Sequence, residues 1–285
     1  QKHLPYEEGK EIVRQGLAAL GKQYVNDLEN GLNSGWVDVM ENKGKTSGAY
    51  SWGAYGTNPY VLLNYHNNLD NVFTLAHEMG HSLHSYYSWK TQPYIYAYYK
   101  IFVAEVASTV NETLLTRYLL NNASDEQEKT YIINHYLEDF RGTVFRQTMF
   151  AEFEKIIHEK AEKGEPLTTD TLCEIYYQLN RDYFGPEMVL DEEIALEWAR
   201  IPHFYNAFYV YKYATGFSAA SALSQAILEE GTLAVKRYLE FLASGSSDYP
   251  VNLLKRAGVD MTTPEPVERA LKVFDEMLGE MEKLV

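Results

Sequence analysis

The chain has little of what disulfide-stapled, membrane-spanning or nucleic-acid-binding proteins need. Cys173 is the only cysteine among 285 residues, so no internal disulfide can form, and this favours a reducing, cytoplasmic location. No apolar run approaches the ~20 residues of a membrane span, and no signal-like segment opens the sequence. The 25 basic residues face 40 acidic ones, a net charge of −15, which argues against nucleic acid and anionic membranes as partners.

The composition is otherwise that of a globular protein. Hydrophobic residues make up 46% of the chain, and the 24 tyrosines are an unusual excess. We find no internal repeat, low-complexity segment or linker, so we expect a single domain over residues 1–285.

One segment, from Thr74 to His84, carries a motif with specific chemistry. It reads T-L-A-H-E-M-G-H-S-L-H, is free of proline, and contains the pattern H-E-x-x-H. On a helix, His77 and His81 lie on one face and can bind the same Zn²⁺, while Glu78 flanks the metal about 100° round the helix. A carboxylate there can take a proton from water at the metal. The alternative is two structural histidines with an exposed glutamate between them.

A catalytic zinc site usually has three protein ligands, so a further ligand must come from elsewhere. His84 is near the same helix face, but three ligands from one straight helix surround a small ion poorly. Glu105 is the better candidate because a carboxylate in the apolar run 101–110 is costly to bury unless it is paired or binds metal. Pro93 breaks the chain between them, so a second helix could return Glu105 to the histidines. A buried ion pair is the alternative role for Glu105, and Glu112 could support the ligands from behind.

The periodicity predicts a mainly α protein. Short strands are expected near 36–39, 48–52 and 60–65, directly before the motif. Helices are expected at 6–30, 70–89, 95–121, 125–163, 168–183, 191–200, 206–230, 232–243, 249–257 and 265–283.

The strand-rich part suggests how an extended peptide could be held beside the metal. An extended peptide can add to the edge of a sheet, and we expect Gly48, Ala49 and Tyr50 to bind substrate in this way. A purely structural hairpin is the equal alternative.

A second cluster of polar aromatic residues follows Pro202. His203 precedes four tyrosines, of which Tyr205, Tyr209 and Tyr213 are spaced i, i+4, i+8, as along one helix face. Tyrosine hydroxyls and imidazoles are neutral donors that can stabilise the oxyanion of amide hydrolysis. Aromatic core packing is the alternative.

These motifs together resemble the catalytic, C-terminal part of oligoendopeptidase F, a zinc oligopeptidase related to thimet oligopeptidase. The resemblance runs through Lys45–Tyr50, Asn58–Tyr60, Thr74–His81, Phe102–Glu112 and Ile201–Gly216. It implies a multi-helix, zincin-type metallopeptidase catalytic domain with a small antiparallel sheet beside the active-site helix, acting as an endopeptidase on short peptides.

The resemblance also implies roles for individual residues. His77, His81 and Glu105 would bind one zinc ion, and Glu78 would be the general base. His203 and a tyrosine of the following helix, Tyr209 ahead of Tyr205, would stabilise the intermediate. Family members carry a further helical N-terminal half, so association with such a half or with a second chain is expected.

Two other functions are compatible with the motif. A related zinc carboxypeptidase would need a basic group to hold the free carboxylate of its substrate, and none can be assigned. A peptide-binding module, catalytically weak because half of the cleft is missing, is the candidate from another class.

Overall fold

The computed structural model describes residues 2–284, and most of them are helical. In chain order the α-helices are α1 (Tyr6–Gly16), α2 (Gly21–Asn33), α3 (Leu69–Thr91), α4 (Ala104–Asn122), α5 (Glu126–Phe140), α6 (Arg146–Glu162), α7 (Thr169–Phe184), α8 (Tyr211–Glu230), α9 (Thr232–Leu242), α10 (Pro250–Ala257) and α11 (Glu265–Leu284). A π-helical turn, Arg141–Phe145, joins α5 to α6. The predicted mainly α fold is confirmed.

The three strands form a small sheet at the expected place, although they are shorter than predicted. They are β1 (Val37–Asp38), β2 (Tyr50–Trp52) and β3 (Tyr60–Leu62), in the order β1-β3-β2. The sheet was predicted to be antiparallel, and this is right only for β2 and β3, since β1 and β3 run parallel. The parallel pair arises because β1 is separated from β3 by the whole of β2 and its flanking loops.

Several predicted helices are interrupted in the structure. The predicted helix 6–30 breaks between Gly16 and Gly21, where Gly21 has a φ of +83°. The predicted helix 95–121 begins only at Ala104, after two 3₁₀ turns at Tyr94–Tyr96 and Ile101–Val103. The segment predicted as helix 191–200 is a 3₁₀ helix, Glu192–Arg200. Apolar spacing alone did not locate these interruptions.

The chain forms two compact units, each with its own core. The first unit runs up to Leu137 and resumes at Gly216, and the second covers Glu138–Thr215. The core of the first unit is built from α1–α4, α8–α10 and β3, and that of the second from α6, α7 and the segment around Ile201 and Val210. The single domain over 1–285 stays a prediction.

Local signals explain where α3 begins and ends. The Asn68 side chain caps the helix by accepting a hydrogen bond of 2.9 Å from the Asn71 backbone N–H, and Asp70 places a negative charge in the first turn. The helix ends at Thr91 because Pro93 disfavours helical geometry at the residue before it, Gln92. It is 23 residues long and buries much of its surface.

Helices α3 and α4 pack with unusually close backbones at Gly80. A Cβ atom added to Gly80 would lie 2.6 Å from Ser108 Cα and 2.7 Å from the Ala107 carbonyl oxygen. Only glycine fits this contact. Fully buried Asn111 fixes the register of the pair, because its side chain donates to the Ala76 carbonyl over 2.9 Å and accepts from the Tyr24 hydroxyl over 2.8 Å.

We predict that Gly80→Ala lowers the free energy of unfolding by about 1–3 kcal/mol, because the added methyl group forces two backbones apart. Urea denaturation measures the change. Gly279→Ala in α11 is the matched control, since an added Cβ there meets nothing within 4 Å. Helix propensity alone would make the control neutral or stabilising. Equal stability of the two variants would contradict the steric role of Gly80.

Candidate metal centre and cleft

The α3–α4 contact brings three metal-type side chains together. His77 and His81, one turn apart on α3, have their Nε2 atoms 3.1 Å from each other. Glu105 lies in the first turn of α4, with Oε2 3.5 Å from His77 Nε2 and 3.4 Å from His81 Nε2. Within residues 2–284, these form the group of His, Cys, Asp or Glu side chains spaced to hold a metal ion.

The three atoms are spaced as ligands of one small cation. Nitrogen and oxygen ligands about 2.0–2.1 Å from a tetrahedral zinc lie about 3.3–3.4 Å from each other. The three observed separations of 3.1–3.5 Å bracket that value. Two imidazoles and one carboxylate also suit zinc chemically, and the three side chains leave one position of a tetrahedron free. The residues therefore fit a divalent metal.

Glu112 contacts His77 at the ring nitrogen that faces away from His81 and Glu105. Its Oε1 lies 3.0 Å from His77 Nδ1, so the imidazole can donate to the carboxylate and leave Nε2 free to bind a metal. Burial opposes a charge on the His77 ring, but Glu112 and Glu105 outweigh it and raise the pKa of His77 to about 10. Protons therefore compete with a metal for this ring.

Glu105 has the opposite shift. Burial by itself would raise its pKa, but the hydrogen bond and charge of His81 lower it to about 2. Ser108 also donates to Glu105 Oε2, over 3.2 Å. The Glu105 carboxylate is consequently ionised at neutral pH, as a metal ligand must be.

Glu78 lies beside the cluster and has an unpaired oxygen. Its side chain is 6% exposed, and Oε2 is buried without a hydrogen-bond partner among residues 2–284. Burial raises the pKa of Glu78, and the neighbouring carboxylates of Glu105 and Glu112 add to the effect, against the opposing influence of the two histidines. A buried, unpaired acceptor is costly unless a ligand or water completes it, and a raised pKa suits a group that accepts a proton.

His84 occupies a different environment. Its ring is 1% exposed and stacks on Tyr99, with ring centroids 3.7 Å apart and planes 7° apart. Burial, and to a smaller extent His81, lowers the pKa of His84 to about 3, so this histidine is neutral. It packs in the core behind the cluster.

A cleft of about 500 Å³ opens beside these residues. It is lined by Gly48, Ala49, Leu63, Asn64, His66, Asn71, Thr74, His77, Glu78 and Glu112. Two of the three residues predicted to bind substrate, Gly48 and Ala49, therefore lie at the cleft next to His77 and Glu78. Tyr50 opens strand β2 and is 49% exposed.

Asn64, which the sequence did not single out, holds this wall of the cleft in place. Its amide donates to the Thr46 and Gly48 carbonyls over 3.0 Å and 2.8 Å, and Gly48 has a φ of +85°. The signal available in the sequence was weak: a polar residue at the end of an apolar strand.

His203 and the tyrosines lie in the second unit, and their local structure differs from the prediction. Tyr205 ends a 3₁₀ turn, Pro202–Tyr205, and helix α8 begins only at Tyr211, so Tyr205 and Tyr209 are not on one helix face. The interruption is at Phe208, whose φ is +56° and whose N–H donates to buried Glu154 over 2.6 Å.

The tyrosines near His203 differ in their environment. The Tyr209 ring stacks on His203 with centroids 5.7 Å apart, and Tyr213 packs edge-on against both rings. Tyr205 is 89% exposed. The sequence pattern did not distinguish these environments.

Comparison with known proteins gives the same family from sequence and from structure. The profile of Peptidase family M3 matches residues 7–273. Oligopeptidase PepF of Bacillus subtilis (strain 168) is 64% identical over 282 residues, covering 99% of this chain and 42% of that protein. A solved protein of Chlamydophila abortus is 44% identical with a TM-score of 0.90, over 100% of this chain and 48% of that one.

A further solved relative carries the name that the motifs suggested. Oligoendopeptidase-F of Enterococcus faecium is 42% identical with a TM-score of 0.75, and the match covers 97% of this chain and 43% of that one. The resemblance to oligoendopeptidase F is confirmed. The chain spans less than half the length of each of these relatives.

We predict that Glu112→Ala lowers the affinity for a divalent metal by about 10–100-fold, because His77 loses the partner that orients its ring. Competition with a chromogenic chelator measures the affinity. Glu112→Gln keeps an acceptor oxygen and should lose less, and Glu268→Gln, an exposed change on α11, is the control. Unchanged affinity in Glu112→Ala would remove Glu112 from the site.

Proposed function

The chain belongs to peptidase family M3, and we propose on this basis that it is a zinc metalloendopeptidase that hydrolyses internal bonds of short peptides. The observation that carries the proposal is the spacing of the His77, His81 and Glu105 ligand atoms at 3.1–3.5 Å, with the unpaired Glu78 oxygen beside them. The names of the relatives do not favour a carboxypeptidase or an inactive binding module.

In this proposal His77, His81 and Glu105 hold one zinc ion, and Glu112 orients His77 through Nδ1. When bound, zinc supplies Lewis acidity, which activates water near neutral pH and polarises a carbonyl oxygen. The carboxylate of Glu105 contributes one negative charge, which the cation offsets.

Glu78 performs the proton transfers of the reaction. Its Oε2 accepts a proton from the attacking water while the water oxygen bonds to the scissile carbonyl carbon. The same atom then returns the proton to the amide nitrogen, the C–N bond breaks, and a carboxylic acid and an amine leave. Burial suits this role because a raised pKa lets Glu78 hold the proton between the two transfers.

The substrate is proposed to lie as an extended chain along β2. Among residues 2–284 this strand pairs with β3 alone, so its other edge offers backbone groups for pairing with a peptide. Gly48 and Ala49 would then contact the peptide beside His77 and Glu78, with Tyr50 following along the strand. Pairing of this kind requires an extended segment, which a short unfolded peptide provides.

The remaining assignments stay predictions. His203 with Tyr209, or else Tyr205, would donate to the oxyanion, and the His203–Tyr209 stack supports Tyr209 as the first choice. An N-terminal half or a second chain would complete the cleft.

No helix among residues 2–284 is long and apolar enough to cross a bilayer. Separately, the presence of a single cysteine leads us to propose a cytoplasmic location.

We predict that Glu78→Gln lowers kcat for an internally quenched peptide by about 10²–10⁴-fold, because the amide cannot accept the proton. Metal content and melting temperature should stay unchanged, which separates the chemistry from folding. Glu268→Gln is again the control. If Glu78→Gln kept more than about a tenth of normal turnover, the activation free energy would have risen by less than ~1.4 kcal/mol. Another group would then have to carry out the proton transfer.

We predict that Tyr209→Phe lowers kcat by about 10²–10³-fold with little change in KM, because it removes one oxyanion donor and keeps the ring. Tyr205→Phe should be close to normal, and Tyr249→Phe, at an exposed tyrosine of the first unit, serves as the control. A large loss of kcat in Tyr205→Phe, with near-normal kcat in Tyr209→Phe, would identify Tyr205 as the oxyanion donor. Near-normal kcat in both variants and in His203→Ala would leave these residues a packing role.

A further inference from the structure

A cluster of exposed tyrosines lies at the tip of the β2–β3 hairpin. It consists of Tyr55, Tyr94 and Tyr98, and we call it the tyrosine cluster. The Tyr55 and Tyr94 ring centroids are 5.5 Å apart, those of Tyr94 and Tyr98 are 6.4 Å apart, and Tyr98 packs on Trp89 of α3 at 6.0 Å. The three tyrosines are 37%, 69% and 46% exposed. So large an exposed aromatic surface is a feature of binding sites.

Two of the three tyrosines, Tyr55 and Tyr98, are fixed by hydrogen bonds, while the rings of all three stay partly exposed. The Tyr55 N–H donates to the Tyr98 hydroxyl over 3.0 Å, and the Tyr55 hydroxyl donates to the Gln92 carbonyl over 3.2 Å. Three aromatic rings form this surface, so it suits an aliphatic or aromatic side chain of a ligand.

The segment that carries Tyr94 and Tyr98 is held rigidly. Ser88 donates to the Ala97 carbonyl over 2.5 Å, Gln92 donates to the Ala243 carbonyl over 2.9 Å, and the Ser246 N–H donates to the Tyr96 carbonyl over 2.8 Å. A Cβ on Gly245 would lie 2.0 Å from that carbonyl oxygen. Exposed aromatic rings that are fixed before binding lose little entropy when a ligand arrives.

Strand β2 connects the cluster to the cleft. The strand follows α3: Ala49 lies at the cleft with His77, Ser51 Oγ is 2.8 Å from Ser82 Oγ, and Gly53 packs on Trp89. From His81 to Trp89 the helix rises about 12 Å at 1.5 Å per residue. An extended peptide covers that distance with about four residues at ~3.3 Å each.

The direction of strand β2 determines whether the tyrosine cluster contacts a residue before or after the scissile bond. Strand β2 runs from the cleft toward the tyrosine cluster, and a peptide that pairs antiparallel with β2 runs from the cluster toward the cleft. The residue at the cluster then lies on the amino-terminal side of the bond that is cut.

We propose that the tyrosine cluster is a substrate subsite for an apolar side chain about four residues before the scissile bond. This inference rests on the proposed function for its reaction and on the hairpin for its geometry. It deepens that function, because it defines the substrates as peptides that carry an apolar residue at a set distance from the cleavage point.

The test uses a pair of internally quenched peptides that differ only in Phe or Gly at the fourth residue before the cleaved bond. The unaltered chain should cleave the Phe peptide with a kcat/KM about three- to tenfold higher, as expected for one exposed aromatic contact. Tyr94→Ala should abolish this preference, and Tyr94→Phe should keep it because the ring is retained. Tyr249→Ala, at a tyrosine 79% exposed elsewhere in the unit, should also keep it.

Binding of the same peptides, measured by fluorescence anisotropy, separates this inference from the proposed function. Cleavage with equal rates for both peptides, or a preference that survives in Tyr94→Ala, would overturn the subsite and leave the peptidase intact. Absence of cleavage together with Phe-selective binding lost in Tyr94→Ala would support the subsite and overturn hydrolysis. Absence of both cleavage and Phe-selective binding would overturn both.

Discussion

The backbone contact at Gly80 determines the geometry of the candidate metal site. Helices α3 and α4 approach so closely there that main-chain atoms of Ala107 and Ser108 occupy the space of a side chain. Glu105 is one turn before Ser108, and His77 and His81 flank Gly80, so the contact sets the distances among these three side chains. Asn111 prevents the helices from sliding, since it bonds to the Ala76 carbonyl on α3 and to Tyr24 on α2.

Charge explains why so polar a site is stable inside an apolar pair of helices. Glu78, Glu105 and Glu112 place three carboxylates around two imidazoles, and burial by itself raises the pKa of Glu78 and of Glu105. Each histidine lowers the cost for its neighbouring carboxylate, and each carboxylate raises the affinity of a histidine for a cation. A divalent ion bound at this candidate site would offset the charge of the same carboxylates. The site is thus organised for a cation before any cation binds, in a protein with a net charge of −15.

Much of this arrangement could be predicted from the sequence because it depends on local spacing. The H-E-x-x-H motif lies on one helix, and the cost of burying Glu105 in an apolar run predicted its position beside the two histidines. Features that depend on contacts between residues distant in the chain were harder to predict from the sequence. The parallel pairing of β1 with β3 and the supporting role of Asn64 both need residues distant in the chain. Tyr205 and Tyr209 were predicted on one helix, but a backbone φ of +56° at Phe208, held by Glu154, separates them. The spacing of apolar or aromatic residues along a sequence does not reveal a single residue with a left-handed backbone conformation.

The close contact between Gly245 and the Tyr96 carbonyl affects how the sequence of this protein can change during evolution. The loop between α9 and α10 holds the segment that presents Tyr94 and Tyr98, although it is about 150 residues away in the chain, and a Cβ atom on Gly245 would meet the Tyr96 carbonyl and the side chains of Ser88 and Gln92. A larger residue at position 245 would displace those tyrosines while every residue of the cleft stayed the same. If the tyrosine cluster binds substrate as proposed, a change in the C-terminal third of the chain would alter peptide preference at a position that an alignment of cleft residues would overlook.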